Sequence, residues 1–170
     1  MSTLKVGTIQ DHANSNNALV INSAGVVTQP AKPMFHAKGA DNQALANDTW
    51  VKAAFNSELF DIGGYFNTST YRYQPLVAGK YLITGKAYIT YGGAATENIR
   101  ISIYKNGSNS SDYNDYGGST QSYGTVLVTS LIDMNGSSDY LEIYLRQNTS
   151  TDAVYYSSGS YGEFSGFLVG

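Results

Sequence analysis

The chain has 170 residues, a length that suits one domain with a short appendage. Its formal net charge is -3, which excludes the basic surface that nucleic-acid-binding proteins use to neutralise phosphates, and the absence of cysteine excludes disulfides and thiolate metal sites. Charged residues make up only 14% of the chain. Because exposed helix faces favour Lys, Glu and Arg, this composition predicts an all-β protein of short strands joined by polar turns.

Residues 1–33 predict a short N-terminal β-strand stem, separate from the domain formed by residues 34–170. Two apolar stretches, "LKVGTI" and "ALVINSAGVV", flank the polar turn "DHANSNN" and predict two strands, and the segment ends at Pro30 and Pro33. Two strands alone are marginally stable in water, so they need a partner, either the main domain or copies from other chains. The predicted attachment or oligomerisation contacts are Leu4, Val6, Ile9, Leu19, Ile21 and Val26.

From residue 34 onwards, apolar and polar residues alternate, which predicts half-buried strands. In "KYLITGKAYITY" the odd positions from Tyr81 to Tyr91 are the more apolar set and are expected to face the core. "NIRISIYKNG" and "DYLEIYLRQ" alternate in the same way. "GTVLVTSLIDM" is apolar on both sides, so we expect its Leu127 and Leu131 to be covered by a neighbouring subunit.

Two further segments are also interpreted as strands. "NDTWVKAAFNSELF" could begin a short helix at a capping Asn or Asp, but its Trp50 and Val51 suit a strand, which is the favoured interpretation. The last segment, "GEFSGFLVG", predicts a strand in which Phe164, Phe167 and Leu168 pack around Gly166.

No catalytic motif is present, because the sequence has no G-x-S-x-G elbow, P-loop or H-E-x-x-H. His36 lies on the predicted outer side of its strand, which indicates an exposed or interface position rather than a catalytic base. The pairs Asp112 with Asp115 and Asp133 with Asp139 could bind a hard cation, but their spacing favours solvated turns. We therefore predict no enzyme activity, no metal and no cofactor.

The polar stretch between Asn106 and Gly124 is too long and irregular for a tight turn, and it is the best candidate for ligand contact. It mixes flat aromatic rings with short polar side chains, a combination that binds sugars or protein surfaces. The alternative is a loop that contacts no ligand. The predicted ligand or receptor contacts are Asp112, Tyr113, Asn114, Asp115, Tyr116 and Tyr123.

Several short motifs follow one another in a fixed order along residues 35–170. They are "FDIGGYFN", then Pro75 and Gly79 before the strand that begins at Tyr81, then "ISIYKNG", "SDYLEIYL" and a closing "FSGFLVG". This order resembles that of C1q/TNF-like jelly-roll domains, and the C1q branch most. The resemblance implies a jelly-roll β-sandwich that forms a homotrimer, with aromatic residues along the threefold axis. The predicted trimer contacts are Tyr88, Leu127, Leu131 and Tyr144.

The opening of the chain, "TLKVGTIQ" followed by "ALVINSAGVV", resembles the openings of phage virion proteins. This resemblance implies a structural virion protein, a tail fibre or a capsid decoration, that attaches to host surface glycans or a receptor. Its implied partners are other virion proteins, reached through the N-terminal segment, with no nucleic acid and no membrane insertion. We expect assembly in the host cytoplasm, because the N-terminus lacks the basic and apolar regions of a signal peptide.

Two other functions stay open at this stage. A bacterial surface or secreted C1q-like binding module would share the domain and have no virion role. A polysaccharide depolymerase would need two carboxylates held about 5–10 Å apart in a groove, and the sequence suggests no such pair.

Overall fold

The computed structural model describes residues 5–39, 42–91, 98–110, 114–117, 123–148, 153–156 and 161–170. Over this part of the chain all regular structure is β, so it holds no helix that could cross a membrane. The strands are β1 (Thr8–Gln10), β2 (Asn17–Ile21), β3 (Val27–Thr28), β4 (Met34–Lys38), β5 (Gln43–Leu45), β6 (Val51–Lys52), β7 (Ser57–Ile62), β8 (Phe66–Asn67), β9 (Arg72–Tyr73), β10 (Ala78–Tyr91), β11 (Asn98–Lys105), β12 (Ser108–Asn109), β13 (Asn114–Gly117), β14 (Tyr123–Asn135), β15 (Leu141–Asn148), β16 (Ala153–Tyr156) and β17 (Glu163–Leu168).

Two antiparallel sheets form the body of the protein. In the first sheet the strand order is β5-β16-β10-β17-β4-β7, with β14 on the other edge of β10. In the second sheet the order is β12-β11-β15-β9-β8, with β13 paired to β11 and β6 paired to β15. Many neighbouring strands are far apart in the sequence, which indicates crossing connections rather than a simple meander.

The core lies between the inner faces of the two sheets. Ile83 of the first sheet and Ile101 of the second are fully buried in one cluster of apolar side chains. Phe35 of β4 stacks on Tyr73 of β9, with 4.0 Å between ring centroids. Because β4 and β9 belong to different sheets, this aromatic contact joins the two layers directly.

The glycine- and tyrosine-rich stretch "FDIGGYFNTSTYRY" folds as the end of β7 followed by β8 and β9. Gly63 and Gly64 adopt φ values of 112° and 70°, which side chains disfavour, and they reverse the chain after β7. Asp61 Oδ2 accepts a hydrogen bond from the backbone N of Phe66 at 2.6 Å. The turn therefore delivers Phe66 to the core, where its ring stacks on Phe35 at 5.3 Å.

The alternation of residue types predicts most of the core correctly. The odd positions of β10 from Tyr81 to Tyr91 are buried, as are the inward isoleucines and leucines of β11 and β15. The segment 47–60 contains β6, most of β7 and no helix, so the strand interpretation is confirmed for these two stretches, whereas Trp50 and Phe55 lie outside them. On β14, Val126 is buried and Leu127 is exposed, so this strand does carry apolar residues on both sides.

The prediction for the last strand is wrong at Phe167. Phe164 and Gly166 face the core, and Leu168 packs against it, but Phe167 is 44% exposed on the outer side of β17. The two-residue period of a strand explains the difference, because an odd position cannot share a side with the even ones.

Residues 8–28 form a third sheet, in the order β1-β2-β3, which is called the N-terminal sheet below. The sequence predicts two strands here, and the structure adds β3. Asn22 explains the additional reversal, because its Oδ1 accepts hydrogen bonds from the backbone N of Ala24 and Val26. Gly25 completes this turn with a φ of 79°. The division of the chain into domains at residue 33 stays a prediction.

The first strand of the body, β4, begins beside the point at which the last strand, β17, ends. The backbone N of Leu168 donates to the carbonyl of Pro33 at 3.0 Å, and the backbone N of Lys80 donates to the carbonyl of Gly170 at 2.9 Å. Ala18 of the N-terminal sheet lines a groove together with Pro33 and Gly170. The C-terminal residues therefore lie beside the N-terminal sheet.

Candidate functional site

The outer face of the first sheet carries a continuous row of apolar side chains. Residues directly opposite each other on antiparallel strands point to the same side of the sheet and touch. The pairing register connects one apolar residue from each of β14, β10, β17, β4 and β7 in this way. In spatial order these residues, called the apolar row below, are Leu131, Leu82, Phe167, Met34 and Ile62.

The apolar row is open to solvent in the single chain. Leu131 is 54% exposed, and Phe167 on the same row is also well exposed. The other three members are half-buried. Single exposed apolar residues are ordinary on protein surfaces, but a row across five strands forms a contiguous patch, which is typical of a contact surface.

A groove of about 350 Å³ opens beside the apolar row. His36 and Phe60 lie opposite each other on β4 and β7, and their rings meet edge-on at 5.9 Å between centroids. Phe167 and Met34 line the groove as well. His36 thus lies on the outer face, as expected, and the aromatic walls suit an apolar or aromatic side chain of another molecule.

The same face carries charge beyond the apolar row. Lys86 lies opposite Glu163, and their side chains form an ion pair at 3.0 Å. Leu127 lies opposite Lys86 on the other neighbouring strand and is exposed. Because Glu163 compensates Lys86, another protein surface can cover this region without leaving either charge unpaired.

Tyrosines gather at the far end of this face. The ring of Tyr88 stacks on Tyr123 at 5.7 Å and lies 5.1 Å from the ring of Tyr161. Tyr123 and Tyr161 are each about half exposed. Tyrosine suits a surface that is buried on association, since the ring is apolar and the hydroxyl can find a hydrogen-bond partner.

The structure brings three of the four predicted trimer contacts together. Tyr88, Leu127 and Leu131 all lie on the outer face of the first sheet. Tyr144 lies on β15 of the second sheet, where its ring stacks on Tyr104 at 4.0 Å. Burial raises the pKa of both tyrosines. The outer faces of the two sheets point in opposite directions, so Tyr144 does not share a surface with the other three.

The predicted ligand contacts fall mostly outside what the structure describes. Asp112 and Tyr113 lie outside the described residues, and Asn114, Asp115 and Tyr116 are described only as the backbone of β13 at the edge of the second sheet. Tyr123 stacks on Tyr88, at the edge of the first sheet. The predicted ligand contacts therefore do not form one described site.

The predicted attachment contacts lie in or beside the N-terminal sheet, except that Leu4 lies outside the described residues. Leu19 is half-buried. The remaining four, each at least about one-third exposed, are Val6, Ile9, Ile21 and Val26.

The candidate cation ligand Asp139 already has partners. Lys105 Nζ lies 2.8 Å from its carboxylate, and Asn106 Nδ2 donates to it at 2.8 Å; these hydrogen bonds lower the pKa of Asp139 to about 2. Asp133 lies 3.7 Å from Lys80 Nζ. Within the described ranges, no three His, Asp or Glu side chains come together as a metal site.

No protein-family model and no curated protein matches the sequence. Solved structures do match. The globular domain of zebrafish complement 1qA protein superposes with a TM-score of 0.60 at 17% identity, over 82% of this chain and 98% of that chain. Eiger TNF from S. frugiperda gives 0.58 at 9% identity, over 82% and 94% of the two chains. The PRD1 vertex protein P5 gives 0.54 at 14% identity, over 82% and 99%.

The fold is a C1q/TNF-like jelly roll. The predicted fold class is therefore confirmed. In this jelly roll the outer face of the first sheet carries the apolar row, and the outer face of the second sheet carries the half-buried, stacked Tyr104 and Tyr144. Leu131 is the one member of the row among the predicted trimer contacts. The positions of Leu82, Met34, Phe167 and Ile62 beside it depend on the pairing of strands that are distant in the chain.

Proposed function

We propose that the protein is a non-enzymatic structural component of a phage particle, built as a homotrimer of C1q/TNF-like jelly rolls. The N-terminal segment attaches the trimer to other virion proteins of the capsid or tail. The jelly rolls project outwards, where the tyrosine-rich stretch around residues 112–123 contacts a host surface glycan or protein. A tail fibre and a capsid decoration are both compatible with this function.

The exposed apolar row is the observation that carries the homotrimer. Burying one leucine or phenylalanine side chain contributes about 1.5–3 kcal/mol, so covering the row favours association strongly. The adjacent groove between His36, Phe60 and Phe167 offers a place for an apolar side chain of the neighbouring subunit. The tyrosine cluster around Tyr88 extends the same surface.

The similarity to a phage vertex protein supports the virion part of the proposal, since the P5 jelly roll is matched over 99% of its length. The phage-like opening of the sequence supports it independently. A bacterial surface or secreted binding module is the second candidate, because the complement domain gives the higher TM-score, 0.60 against 0.54. Capsid and tail genes next to the coding gene would favour the virion, and their absence would favour the second candidate.

Light scattering at micromolar concentration tests the homotrimer. The chain has a mass of 18.3 kDa, and the measured mass in solution is expected to be three times this value. Leu131→Asp places a charge in the apolar row and is expected to yield a monomer. Leu76→Asp is the matched control, because Leu76 is 61% exposed in the connection between β9 and β10 and belongs neither to the row nor to the groove beside it. A wild-type monomer would refute the homotrimer.

Electron microscopy of intact particles with a labelled antibody tests the virion role. Label at one defined position on the particle is expected, and that position separates a fibre from a capsid decoration. Particles that carry no label, while the free protein is recognised by the same antibody, would exclude a virion component.

A further inference from the structure

The N-terminal sheet has one apolar face. The register places Ile9 opposite Leu19 and Ile21 opposite Val27. Leu19 and Ile21 are two positions apart on β2, so all four side chains point to the same side. These four residues are called the apolar face of the N-terminal sheet. The opposite side is the more polar one. It carries Thr8 and Thr28, which lie on either side of Val20 on the neighbouring strands.

This apolar face is open to solvent. Ile9 is 49% exposed, Ile21 37% and Val27 57%. A small sheet depends for its stability on a hydrophobic face, and that face stabilises the sheet only when it is removed from water. The exposed face therefore indicates that the N-terminal sheet has a partner that the single chain lacks.

The apolar face continues into the apolar row of the body. Val27 lines a groove of about 510 Å³ together with Met34 and Ile62. Met34 and Ile62 are the last two members of the apolar row. Gln29, Pro30 and Lys32 line the same groove between them. A neighbouring subunit that covers the row therefore lies next to the N-terminal sheet, with Gln29 and Lys32 at the junction.

We infer that the apolar face of the N-terminal sheet packs against the same face of the other two copies in the trimer. This inference rests on the proposed homotrimer and identifies the partner of the N-terminal sheet as two more copies of this chain. The strands have the sequences TIQ, NALVI and VT and hold no charged residue. Identical faces can therefore meet without repulsion between like charges.

The connection to the body favours this contact further. Only residues 29–33 separate Thr28 of β3 from Met34 of β4, and five residues span at most about 18 Å. Pro30 and Pro33 also fix two backbone φ angles in the connection. Once the three bodies assemble, the three N-terminal sheets are held near one another at an effective concentration of about millimolar.

When the apolar faces pack against one another, other parts of the N-terminal sheet can still contact the virion. Ile9, Leu19 and Ile21 are then buried between subunits, so of the predicted attachment or oligomerisation contacts these three serve oligomerisation. Val26, which is 52% exposed at the turn before β3, stays available for contact with another virion protein.

Cysteine cross-linking tests the inference, because the natural chain has no cysteine and a single introduced one is unambiguous. The full chain with Ile21→Cys is oxidised and run on a non-reducing gel, with Thr8→Cys on the opposite side of the sheet as control. The local concentration is equally high for both variants, so a difference reports on which side faces the other copies, and covalent dimer is expected to be at least about tenfold more abundant for Ile21→Cys. Light scattering on the same samples verifies that both variants remain trimeric.

The outcomes separate the inference from the proposed function. Trimers in which Ile21→Cys gives no more covalent dimer than Thr8→Cys would overturn the inference and leave the homotrimer in place. Monomers of the wild-type chain would overturn the homotrimer and the inference together.

Hydrogen exchange of the unmodified chain gives a second measurement that needs no substitution. Slow exchange at residues 17–21 is expected in the trimer, and exchange at the rate of an unfolded peptide would contradict self-packing.

Discussion

Arg72 donates two hydrogen bonds to the same carboxylate oxygen of Glu142, from Nε at 3.3 Å and from Nη2 at 3.1 Å. Lys52 Nζ approaches that oxygen at 3.2 Å. Glu142 lies on the outer side of β15 and is only 2% exposed, since these two cations cover it. The guanidinium of Arg72 in turn lies 3.5 Å above the ring of Tyr140.

Arg72→Met is expected to lower the free energy of unfolding by about 2–3 kcal/mol, because it removes one of the two cations that pair with the buried carboxylate. Lys80→Met is the control, since Lys80 pairs with Asp133 at 3.7 Å where both side chains are largely exposed. Its expected effect is below about 1 kcal/mol. Urea unfolding of both variants measures the difference, and equal losses would contradict the structural importance of the buried pair.

Gly136 and Gly64 have nearly the same backbone angle and different surroundings. Their φ values are 67° and 70°, but a Cβ on Gly136 would lie 2.2 Å from the backbone N of Ala78, whereas one on Gly64 would meet nothing within 4 Å. Gly64→Ala is expected to cost about 1 kcal/mol through backbone strain alone. Gly136→Ala is expected to cost about 2–4 kcal/mol, because the steric clash is added. Thermal unfolding compares the two, and a larger loss for Gly64→Ala would contradict the stated packing.

Two core tyrosines bury hydroxyls that have no hydrogen-bond partner among the described residues, Tyr73 and Tyr155. Burial raises the pKa of both. Tyr155→Phe is expected to be neutral or to stabilise the protein by about 1 kcal/mol, since it removes an unpaired polar group. Tyr81→Phe is the control and is expected to destabilise by about 1 kcal/mol, because Tyr81 donates to the carbonyl of Val77 at 2.8 Å. Denaturant unfolding tests both, and a clear loss for Tyr155→Phe would show that its hydroxyl is satisfied.

Asp139 is expected to make stability depend on pH in acid. Hydrogen bonds from Lys105 and Asn106 lower the pKa of Asp139 from 3.8 to about 2 in the folded protein. The folded state thus binds this proton more weakly than the unfolded chain, so the stabilisation is present above about pH 4 and is lost as pH falls towards 2. The expected loss is about 2 kcal/mol.

Asp139→Asn should remove that part of the acid dependence, as measured by urea unfolding at several pH values between about 2 and 6. Asp133→Asn is the control, because the Asp133 side chain is 75% exposed. Identical pH profiles for wild type and Asp139→Asn would contradict the assigned role of this carboxylate.

Alternation along a strand is readable from one sequence, and the pairing between strands is not. Ile101 on β11 and Leu131 on β14 lie on the inner and outer sides that the alternation predicts. The apolar row needs more information, because Phe167 and Met34 are separated by most of the chain and meet only through the register of β17 with β4. Tyr144 shows the same limit, since alternation identifies the outer side of its strand and not the sheet to which the strand belongs.

Local turn chemistry is more readable from one sequence than the pairing of distant strands. The paired glycines Gly63 and Gly64 indicate a reversal, and both adopt the positive φ that such a reversal requires. The interpretation of "ALVINSAGVV" as one strand overlooks the turn at Asn22. Asn followed by Gly within a few residues is a recognisable turn pattern. The burial of Glu142 could not be predicted, since its two cationic partners come from β6 and β9.

Because the C-terminal residues lie beside the N-terminal sheet, this position determines where a fusion partner would be placed. A peptide or protein fused after Gly170 would emerge next to Ala18 and Pro33, on the side of the molecule that carries the N-terminal sheet. Under the proposed attachment through that sheet, cargo intended for display would be better inserted in a connection at the opposite end of the β-sandwich. An affinity tag at Gly170, by contrast, would report on access to the side that carries the N-terminal sheet.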